Sequence, residues 1–219
     1  EAIFALAAEL YPICRSITGD GVRASLEILQ KHLALDVREV PSGAHVFDWV
    51  VPKEWNVREA FIADSAGRRI VDMKTSNLHV LNYSAPVRAR LSLAELKPYI
   101  FTLPEEPDLI PYRTSYYAER WGFCMAHRQF QDLRDDTYDV VIDAELRDGS
   151  LTYGEARLAG RSNDEVLLSA HICHPSLAND NCSGLAVLAF VAQALSRKST
   201  RYSYRFVFAP GTIGAITWL

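Results

Sequence analysis

The chain has 219 residues, of which 49% are hydrophobic and 23% are charged, and its formal net charge is −4 at pH 7. This composition is ordinary for a globular protein, and the length suffices for one large domain or two small ones. The charges are spread along the chain without a basic stripe or a polybasic patch, so we expect neither nucleic acid nor a membrane as a partner.

Targeting and cysteine usage also narrow the class of protein. No apolar run approaches the roughly 20 residues that a membrane-spanning helix needs. The opening EAIFALAAELYPICRS is acidic at its start and lacks the features of a signal peptide. Four cysteines in a chain of this length do not resemble a disulfide framework, which favours a cytoplasmic location. Because the chain starts at Glu1 and stops at GAITWL, within a helix-like run, we expect it to be truncated at the C-terminus.

The first predicted elements are two helices and a strand. Residues 2–11 form a short apolar helix, and residues 21–33 repeat apolar side chains at helical spacing, with Asp20 as the N-cap. The loop before the second helix contains Arg15 among hydroxyl residues, which suits either an anion-binding turn or ordinary helix capping. An alternating strand follows at residues 35–40.

Residues 41–130 differ from the rest of the chain in composition and in the length of their apolar runs. Short strand-like runs alternate there with Pro, Gly, Asn and Ser, and most of the aromatic residues fall in this stretch. The change predicts a small α+β domain inserted into an α/β domain that is formed by residues 1–40 and 131–219. The insert is also a candidate surface for homo-oligomerisation.

The last third of the chain predicts the strands of the larger domain. Residues 138–160 read as a hairpin that turns at Asp148–Gly149. Residues 165–172 suit a strand covered on both faces, 183–198 a buried helix and 204–210 another internal strand. Strand, helix and strand in this order predict a βαβ unit in a parallel or mixed sheet.

The stretch SAHICHPSLANDNCSGLAVL carries candidate ligands where a predicted strand gives way to a helix. Open α/β sheets place their sites at such carboxyl ends of strands. His171 ends the strand and Asp180 precedes the helix, so the loop between them can bring an imidazole and a carboxylate, both normal zinc ligands, to one point. Asn181 and Ser183 can supply hydrogen bonds that hold Asp180 in place.

Three other interpretations of this stretch remain open. The acidic and amide side chains could simply cap the helix while His171 is a satisfied core histidine. Cys173, His174 and Cys182 could form a zinc knuckle, although the chain contains no CxxC pair. Cys173 could also be a nucleophile, but neighbouring residues on a strand point to opposite faces, and catalytic Cys and His normally come from separate segments.

Three separated stretches resemble one bacterial protein family. They are YPICRSITGDGVRASL at 11–26, PYRTSYYAERWGFC at 111–124 and HICHPSLANDNCSG at 171–184. On these motifs the chain is identified as a member of the aminopeptidase-like family with a small inserted domain. That family is related to the co-catalytic zinc aminopeptidases and the glutamate-carboxypeptidase-like zinc peptidases. The resemblance covers essentially the whole chain.

The resemblance implies a fold and a chemistry. The fold would be the zinc-exopeptidase type, a three-layer α/β/α sandwich. His171 would bind one zinc ion, Asp180 would bridge two, and the Asp180–Asn181 peptide bond would be cis. The reaction would be hydrolysis of a peptide or of a small amide-bearing substrate, with water activated by the metal as nucleophile and a nearby Glu removing its proton.

The sequence departs from this family pattern in two places. Gly211 and Thr212 stand where the peptidases have two adjacent glutamates, one a base and one a ligand. Cys173 stands where they have an aspartate that bonds the first histidine, so we expect Cys173 also to support the site. Further ligands would lie beyond Leu219, no catalytic base is identified, and the fragment alone should be inactive.

The departures support an alternative function. In this alternative, the protein is a peptidase fold that has lost hydrolysis and serves bacterial surface-polysaccharide biosynthesis by binding a partner or intermediate. If hydrolysis is retained, an acid from the insert, such as Glu105 or Glu106, is a candidate substitute for the missing base.

Overall fold

A computed structural model describes residues 1–219. The chain divides into a first unit, Glu1–Glu54 with Asp148–Leu219, and a second unit, Trp55–Arg147. The second unit is therefore an insertion along the chain, with bounds that differ from the predicted 41–130 by fourteen residues at its start and seventeen at its end. None of the helices is both long and apolar enough to cross a membrane.

The secondary structure is mixed along the whole chain. The helices are α1 (Ala2–Leu10), α2 (Asp20–Gln30), α3 (Leu93–Leu96), α4 (His127–Gln131), α5 (Ser183–Ser196) and α6 (Ile213–Trp218). The strands are β1 (Asp36–Pro41), β2 (His45–Val46), β3 (Trp49–Val50), β4 (Glu54–Ala63), β5 (Arg69–Asp72), β6 (Val87–Ser92), β7 (Ile100–Phe101), β8 (Phe123–Cys124), β9 (Thr137–Arg147), β10 (Ser150–Leu158), β11 (Glu165–His171) and β12 (Ser203–Ala209). Short helical turns cover Asn77–His79 and Lys97–Tyr99, and a kinked segment, Ala178–Cys182, precedes α5.

The first unit is built on a mixed four-stranded sheet in the order β1-β10-β12-β11. β10 is antiparallel to β1 and β12, whereas β11 runs parallel to β12, from Glu165 opposite Ser203 to His171 opposite Ala209. Helix α5 connects these two parallel strands. The predicted strand–helix–strand unit and the open mixed sheet are confirmed.

Helices α1, α2 and α5 cover one face of this sheet. Their apolar sides share a core with alternate residues of the strands, and its fully buried members include Leu10, Val22, Leu29, Ala186, Phe206 and Phe208. Each buried side chain of leucine or phenylalanine size contributes roughly 1.5–3 kcal/mol to folding. The predicted N-cap is wrong: Asp20 is the first residue of α2, and the cap is Gly19, whose φ of 99° suits glycine.

Helix α6 lies over the opposite face, where the Trp218 indole donates to the Glu155 carboxylate at 2.6 Å. The fold is therefore layered as helices, sheet and helix, in agreement with the predicted α/β/α arrangement. The expectation that β11 is covered on both faces is wrong for this chain. Leu168 and Ala170 face the α1/α5 core, but Leu167 on the other face is 52% exposed.

The second unit has its own four-stranded sheet in the order β5-β4-β9-β6. β9 is antiparallel to β6, so the predicted hairpin at Asp148–Gly149 is wrong: β9 and β10 belong to different sheets. The physical reason is burial, since Tyr138, Val140 and Ile142 alternate along β9 and are buried in the second unit. Packing of that face outweighs the turn signal that follows it.

A partly buried ion pair in the first unit lies where the chain leaves that unit and returns to it. The Glu54 carboxylate accepts from Arg23 at 2.6 Å and from the Ser150 N–H at 3.0 Å. This pairing raises the pKa of the Arg23 guanidinium above its ordinary value. A Cβ at Gly149 would meet Glu54 Oε2 at 2.5 Å, so the close approach requires glycine there.

Candidate functional site

The candidate site lies at the carboxyl ends of β11 and β12. Because these strands are parallel, both end at the same edge of the sheet, where open α/β folds place their sites. β11 ends at His171, and a loop leads from there through Asp180 and Asn181, whose backbone angles are not helical, to the start of α5 at Ser183. β12 ends at Ala209, and a short turn precedes α6.

The two predicted metal ligands meet at this edge. His171 Nε2 lies 2.6 Å from Asp180 Oδ1. Both groups can be reached from outside, since the His171 side chain is 32% exposed and the Asp180 side chain is 62% exposed. The structure therefore brings together the imidazole and the carboxylate that the sequence places nine positions apart.

A second imidazole, His174, lies beside the same carboxylate. Its Nε2 atom is 4.0 Å from Asp180 Oδ2, and its ring stands edge-on to that of His171 with the centroids 4.6 Å apart. Asp180 thus has one oxygen facing each histidine. The sequence indicates His174 only as part of a zinc knuckle with Cys173 and Cys182, and not as a partner of His171 and Asp180; β11 ends at His171, so His174 lies in the loop that follows.

Cys173 belongs to the same cluster. Ligating atoms of His171, Cys173 and His174 all lie within 4.8 Å of one another. The Cys173 Sγ atom accepts from the Gly211 N–H at 3.2 Å and lies 3.2 Å from His174 Nδ1, so its partner in the site is His174 and not His171. Burial raises the pKa of the Cys173 thiol. A raised pKa disfavours the thiolate that a nucleophile requires.

Cys182, the third residue of the zinc-knuckle interpretation, bonds Arg15 and not the other two residues. Cys182 is buried, and its Sγ accepts from the Arg15 guanidinium at 3.1 Å. It is not part of the cluster of ligating atoms. All four cysteines are free thiols.

Burial lowers the pKa of His174, and the neighbouring His171 lowers it further. The first effect penalises the charged ring in a low-dielectric setting, and the second is repulsion between like charges. The neutral imidazole is consequently favoured at neutral pH, and it is the form that binds metals.

Asn181 and Ser183 stiffen the loop by bonding its backbone. Asn181 Nδ2 donates to the His171 carbonyl at 3.3 Å, and Ser183 Oγ donates to the Asn179 carbonyl at 3.3 Å. Neither side chain bonds the Asp180 carboxylate directly, which differs from the sequence expectation. The Asp180–Asn181 peptide bond is cis, as the family resemblance implies.

Gly184 allows the Asn181 side chain to sit at this position. A Cβ on Gly184 would lie 2.0 Å from Asn181 Oδ1, a distance that no real contact has. The glycine of the DNCSG motif is therefore needed for close packing beside the Asn181 amide.

Arg15 supports the loop from below. The side chain is fully buried and donates to the Leu10 carbonyl at 2.6 Å, to the His174 carbonyl at 3.1 Å and to Cys182. Burial lowers the pKa of its guanidinium. The sequence offered an anion-binding turn or a helix cap for Arg15; the structure shows instead a buried donor that fixes the backbone of His174.

A cavity of about 450 Å³ opens beside His171. Asn181, Gly211 and Thr212 line it together with apolar residues of β11, β12 and α6. No carboxylate lines this cavity, so the position after β12 holds no candidate base. Thr212 has a φ of 54°, which is unusual for a β-branched residue and stores local strain beside the cavity. Glu105 and Glu106, the other candidate acids, lie in the second unit after β7.

One nitrogen in the site has no partner. His171 Nδ1 is buried and makes no hydrogen bond, and it is the single such side-chain nitrogen or oxygen in the chain. A histidine that served only the core would have its buried nitrogens satisfied. The ring is therefore not explained by packing alone, which disfavours the interpretation of His171 as a satisfied core residue.

Comparisons with known proteins agree with this geometry. The family model described as "Domain of unknown function (DUF4910)" matches residues 4–219. A Clostridium acetobutylicum protein, provisionally named for polysaccharide biosynthesis and for an aminopeptidase-like domain, is 55% identical over 217 residues. That match covers 99% of this chain but 50% of the relative, so the chain spans about half the length of the curated relative.

Solved structures extend the likeness to the fold. A crystal structure from Clostridium acetobutylicum, provisionally titled a peptidase, superposes with a TM-score of 0.97 and 55% identity, over 99% of this chain and 51% of that one. A zinc aminopeptidase from Bacillus subtilis has a TM-score of 0.59 at 12% identity, over 96% of this chain and 60% of that one. The second likeness shows the fold alone. Together the matches confirm the aminopeptidase-like resemblance read from the three sequence motifs.

Proposed function

The chain belongs to the DUF4910 family, and from that premise we propose that the complete protein is a zinc-dependent, aminopeptidase-like hydrolase of peptide or amide bonds, with the metal held at His171 and Asp180. The observation that carries the proposal is the 2.6 Å approach of His171 Nε2 to Asp180 Oδ1. Exposure supports it, because the His171 side chain is 32% exposed and the Asp180 side chain is 62% exposed, so an ion can reach both groups.

The donor set fits zinc. Imidazole nitrogen and carboxylate oxygen are ordinary zinc ligands, and the exposed side of Asp180 leaves room for water and substrate. Bound zinc would polarise a substrate carbonyl and lower the pKa of water at the site. His171 and Asp180 would hold the ion, and the Asn181 bond to the His171 carbonyl would keep the two ligands in register.

The cavity beside His171 gives the substrate a place to bind. Its walls are largely apolar, with Leu167, Val207 and Trp218 among the lining residues. Such a surface suits an apolar side chain of a substrate whose amide group is placed next to the site. The proton-accepting base is proposed to come from a part of the complete protein other than this cavity, because Gly211 and Thr212 occupy its rim.

Turnover by the full-length protein tests this proposal. A panel of aminoacyl amides would be assayed with the wild type, His171→Ala and the matched control His45→Ala, an exposed histidine of β2 in the same unit. We expect His171→Ala to reduce kcat/KM by about 1000-fold or more, a loss of roughly 4 kcal/mol of transition-state stabilisation, and His45→Ala to have no effect. Hydrolysis that survives His171→Ala would eliminate the zinc mechanism.

A second candidate function follows from the lack of a carboxylate at Gly211, where the related peptidases have a glutamate. The chain would then be a metal-binding peptidase fold without hydrolysis that serves polysaccharide biosynthesis, the role in the name of the Clostridium acetobutylicum relative. The absence of any carboxylate along the cavity favours it. This candidate predicts stoichiometric zinc with no turnover of any amide in the panel.

The variant Gly211→Glu sharpens the choice between these candidates. A Cβ at position 211 would meet Cys173 Sγ at 3.6 Å and His171 Cβ at 4.0 Å, which are ordinary contacts, so the backbone there has space for a Cβ atom. If hydrolysis was lost with the base, Gly211→Glu should create measurable turnover. If the complete protein already supplies a base, the added carboxylate should leave turnover unchanged or lower it.

A further inference from the structure

We propose that His174 is a third protein ligand of the ion held by His171 and Asp180, and that Cys173 is a positioning residue that orients His174. The inference rests on the proposed function, since it assigns further residues to the same metal site. It gives the chain three ligands of its own, the number that catalytic zinc sites typically draw from protein.

The first argument is the arrangement of the two imidazoles around one carboxylate. His171 Nε2 is 2.6 Å from Asp180 Oδ1, and His174 Nε2 is 4.0 Å from Asp180 Oδ2. Two ligands bound tetrahedrally at about 2.0–2.1 Å from one zinc ion lie about 3.3 Å apart. The two distances fall on either side of that value, so small rotations of the side chains would place all three ligating atoms around one ion.

The second argument is exposure. The His174 side chain is 22% exposed, between the buried cysteine and the open carboxylate. Its ring packs edge-on against that of His171, with the centroids 4.6 Å apart, so the two imidazoles are in contact at the site. Because the Asp180 side chain is 62% exposed, the site is open to solvent on the side of this carboxylate, as a site that must admit a substrate requires.

Cys173 and His174 have different roles in the proposed site: Cys173 orients the imidazole ring, and His174 binds the ion. Cys173 is 4% exposed, and its Sγ atom contacts two groups, the Gly211 N–H and His174 Nδ1. A contact at Nδ1 leaves His174 Nε2 as the nitrogen directed toward Asp180. Ligating histidines commonly have their other ring nitrogen held in this way, which fixes the orientation of the ring.

The backbone of His174 is held as firmly as its ring. Arg15 donates to the His174 carbonyl at 3.1 Å from a fully buried position. The loop that carries His174 is thus held at two backbone carbonyls: Arg15 bonds that of His174, and the Asn181 amide bonds that of His171. Such support is what a preorganised ligand set needs.

The experiment is a titration of the full-length, metal-free protein with Co²⁺ and with Zn²⁺. The variants are His171→Ala, His174→Gln, Cys173→Ser and the control His45→Gln. We expect His174→Gln to weaken metal binding by more than about 100-fold, because it removes a ligand, and Cys173→Ser by about 10–100-fold, the range for residues that only orient a ligand. His45→Gln should bind as the wild type does.

Spectroscopy on the loaded wild type distinguishes the two roles without relying on a variant. We expect the cobalt protein to lack the intense sulfur-to-cobalt charge-transfer absorption, and the zinc protein to show no zinc–sulfur distance of about 2.3 Å by X-ray absorption. Circular dichroism of the metal-free proteins checks that each variant is folded, and His174→Asn replaces His174→Gln if the latter is not.

The outcomes are distinct. Wild-type affinity in a folded His174 variant, or a sulfur–metal bond that disappears in Cys173→Ser, would overturn this inference while leaving the proposed zinc site intact. A wild-type protein that binds neither metal would overturn both. Loss of binding in His171→Ala together with the graded losses above supports both.

Discussion

Two histidines, one in each unit, show how differently the chain uses the same side chain. His79 in the second unit is 7% exposed, and its Nδ1 is paired with the Cys124 carbonyl at 2.8 Å. His171 in the first unit has an unpartnered Nδ1, and its Nε2 faces the exposed carboxylate of Asp180. His79 Nδ1 has its hydrogen bond within the fold, whereas His171 Nδ1 has none and His171 Nε2 is paired only with an exposed carboxylate.

The contrast extends to the neighbours of each histidine. In the second unit the buried Trp55 indole donates to the Ser84 carbonyl at 2.8 Å, and Ser115 Oγ donates to the Tyr83 carbonyl at 2.7 Å. In the first unit, polar side chains converge on one open edge of the sheet. The comparison teaches that satisfaction of buried polar atoms, more than residue type, separates a structural histidine from a candidate ligand.

The largest expected effect is on metal affinity. His171→Ala should abolish measurable zinc binding by the full-length protein, a loss of more than about 100-fold, whereas His79→Ala should bind zinc as the wild type does. Isothermal titration calorimetry of the metal-free proteins measures both constants. Equal losses in the two variants would remove the distinction between the histidines.

Much of the first unit was predictable from sequence. The apolar spacing of α2 and α5 and the short apolar runs of β11 and β12 depend on local periodicity, which the sequence displays directly. The meeting of His171 with Asp180 followed from the end of a strand and the start of a helix, so topology alone brought the pair together.

What could not be predicted depends on contacts between distant segments. Asp148–Gly149 has the composition of a hairpin turn, yet β9 pairs with β6, which lies far earlier in the chain. The approach of His174 to Asp180 depends on the path of the loop between β11 and α5, which local periodicity does not specify. Arg15 was read as a capping or anion-binding residue because only the fold shows that it reaches the carbonyl of His174.

Arg15 combines both roles. It is a buried group with all of its described contacts inside the fold, like His79, and it also bonds the loop of the candidate site through the His174 carbonyl. Arg15→Met should lower the free energy of unfolding by about 3 kcal/mol or more, because several acceptors lose a charged donor in a buried setting. Urea denaturation with and without zinc measures this. Most of the zinc-dependent stabilisation should remain, because Arg15 bonds the backbone and not the proposed ligating atoms.

In the absence of metal, replacing His79 should destabilise the protein more than replacing His171 does. His79→Ala should lower the free energy of unfolding by about 1–3 kcal/mol, because the buried Cys124 carbonyl loses its partner. His171→Ala should change it by no more than about 0.5 kcal/mol, as expected for a half-exposed group with an exposed partner. Urea titration of both variants in a chelator provides the test, and a reversed order would contradict the assignment.

The smallest effect concerns acid. Burial lowers the pKa of His79, although the Cys124 hydrogen bond and the charge of Asp72 oppose the shift. The folded protein then binds fewer protons than the unfolded chain below the unfolded pKa of about 6.5, so stability is full above that pH and falls as the pH drops toward the folded pKa.

Removing this histidine should therefore flatten the acid limb of the stability curve. His79→Gln should reduce the slope of unfolding free energy between pH 7 and pH 5 by up to about 1.4 kcal/mol per pH unit, relative to the exposed control His45→Gln. Thermal or urea unfolding across that pH range gives the slopes. An unchanged slope would show that His79 does not resist protonation in the folded state.

Anomalous X-ray scattering tests the central claim most directly. Crystals of the full-length protein grown with zinc would be measured on both sides of the zinc absorption edge. The account predicts an anomalous peak about 2.0–2.2 Å from both His171 Nε2 and a carboxylate oxygen of Asp180. A zinc-saturated crystal with no peak between these two side chains would contradict it.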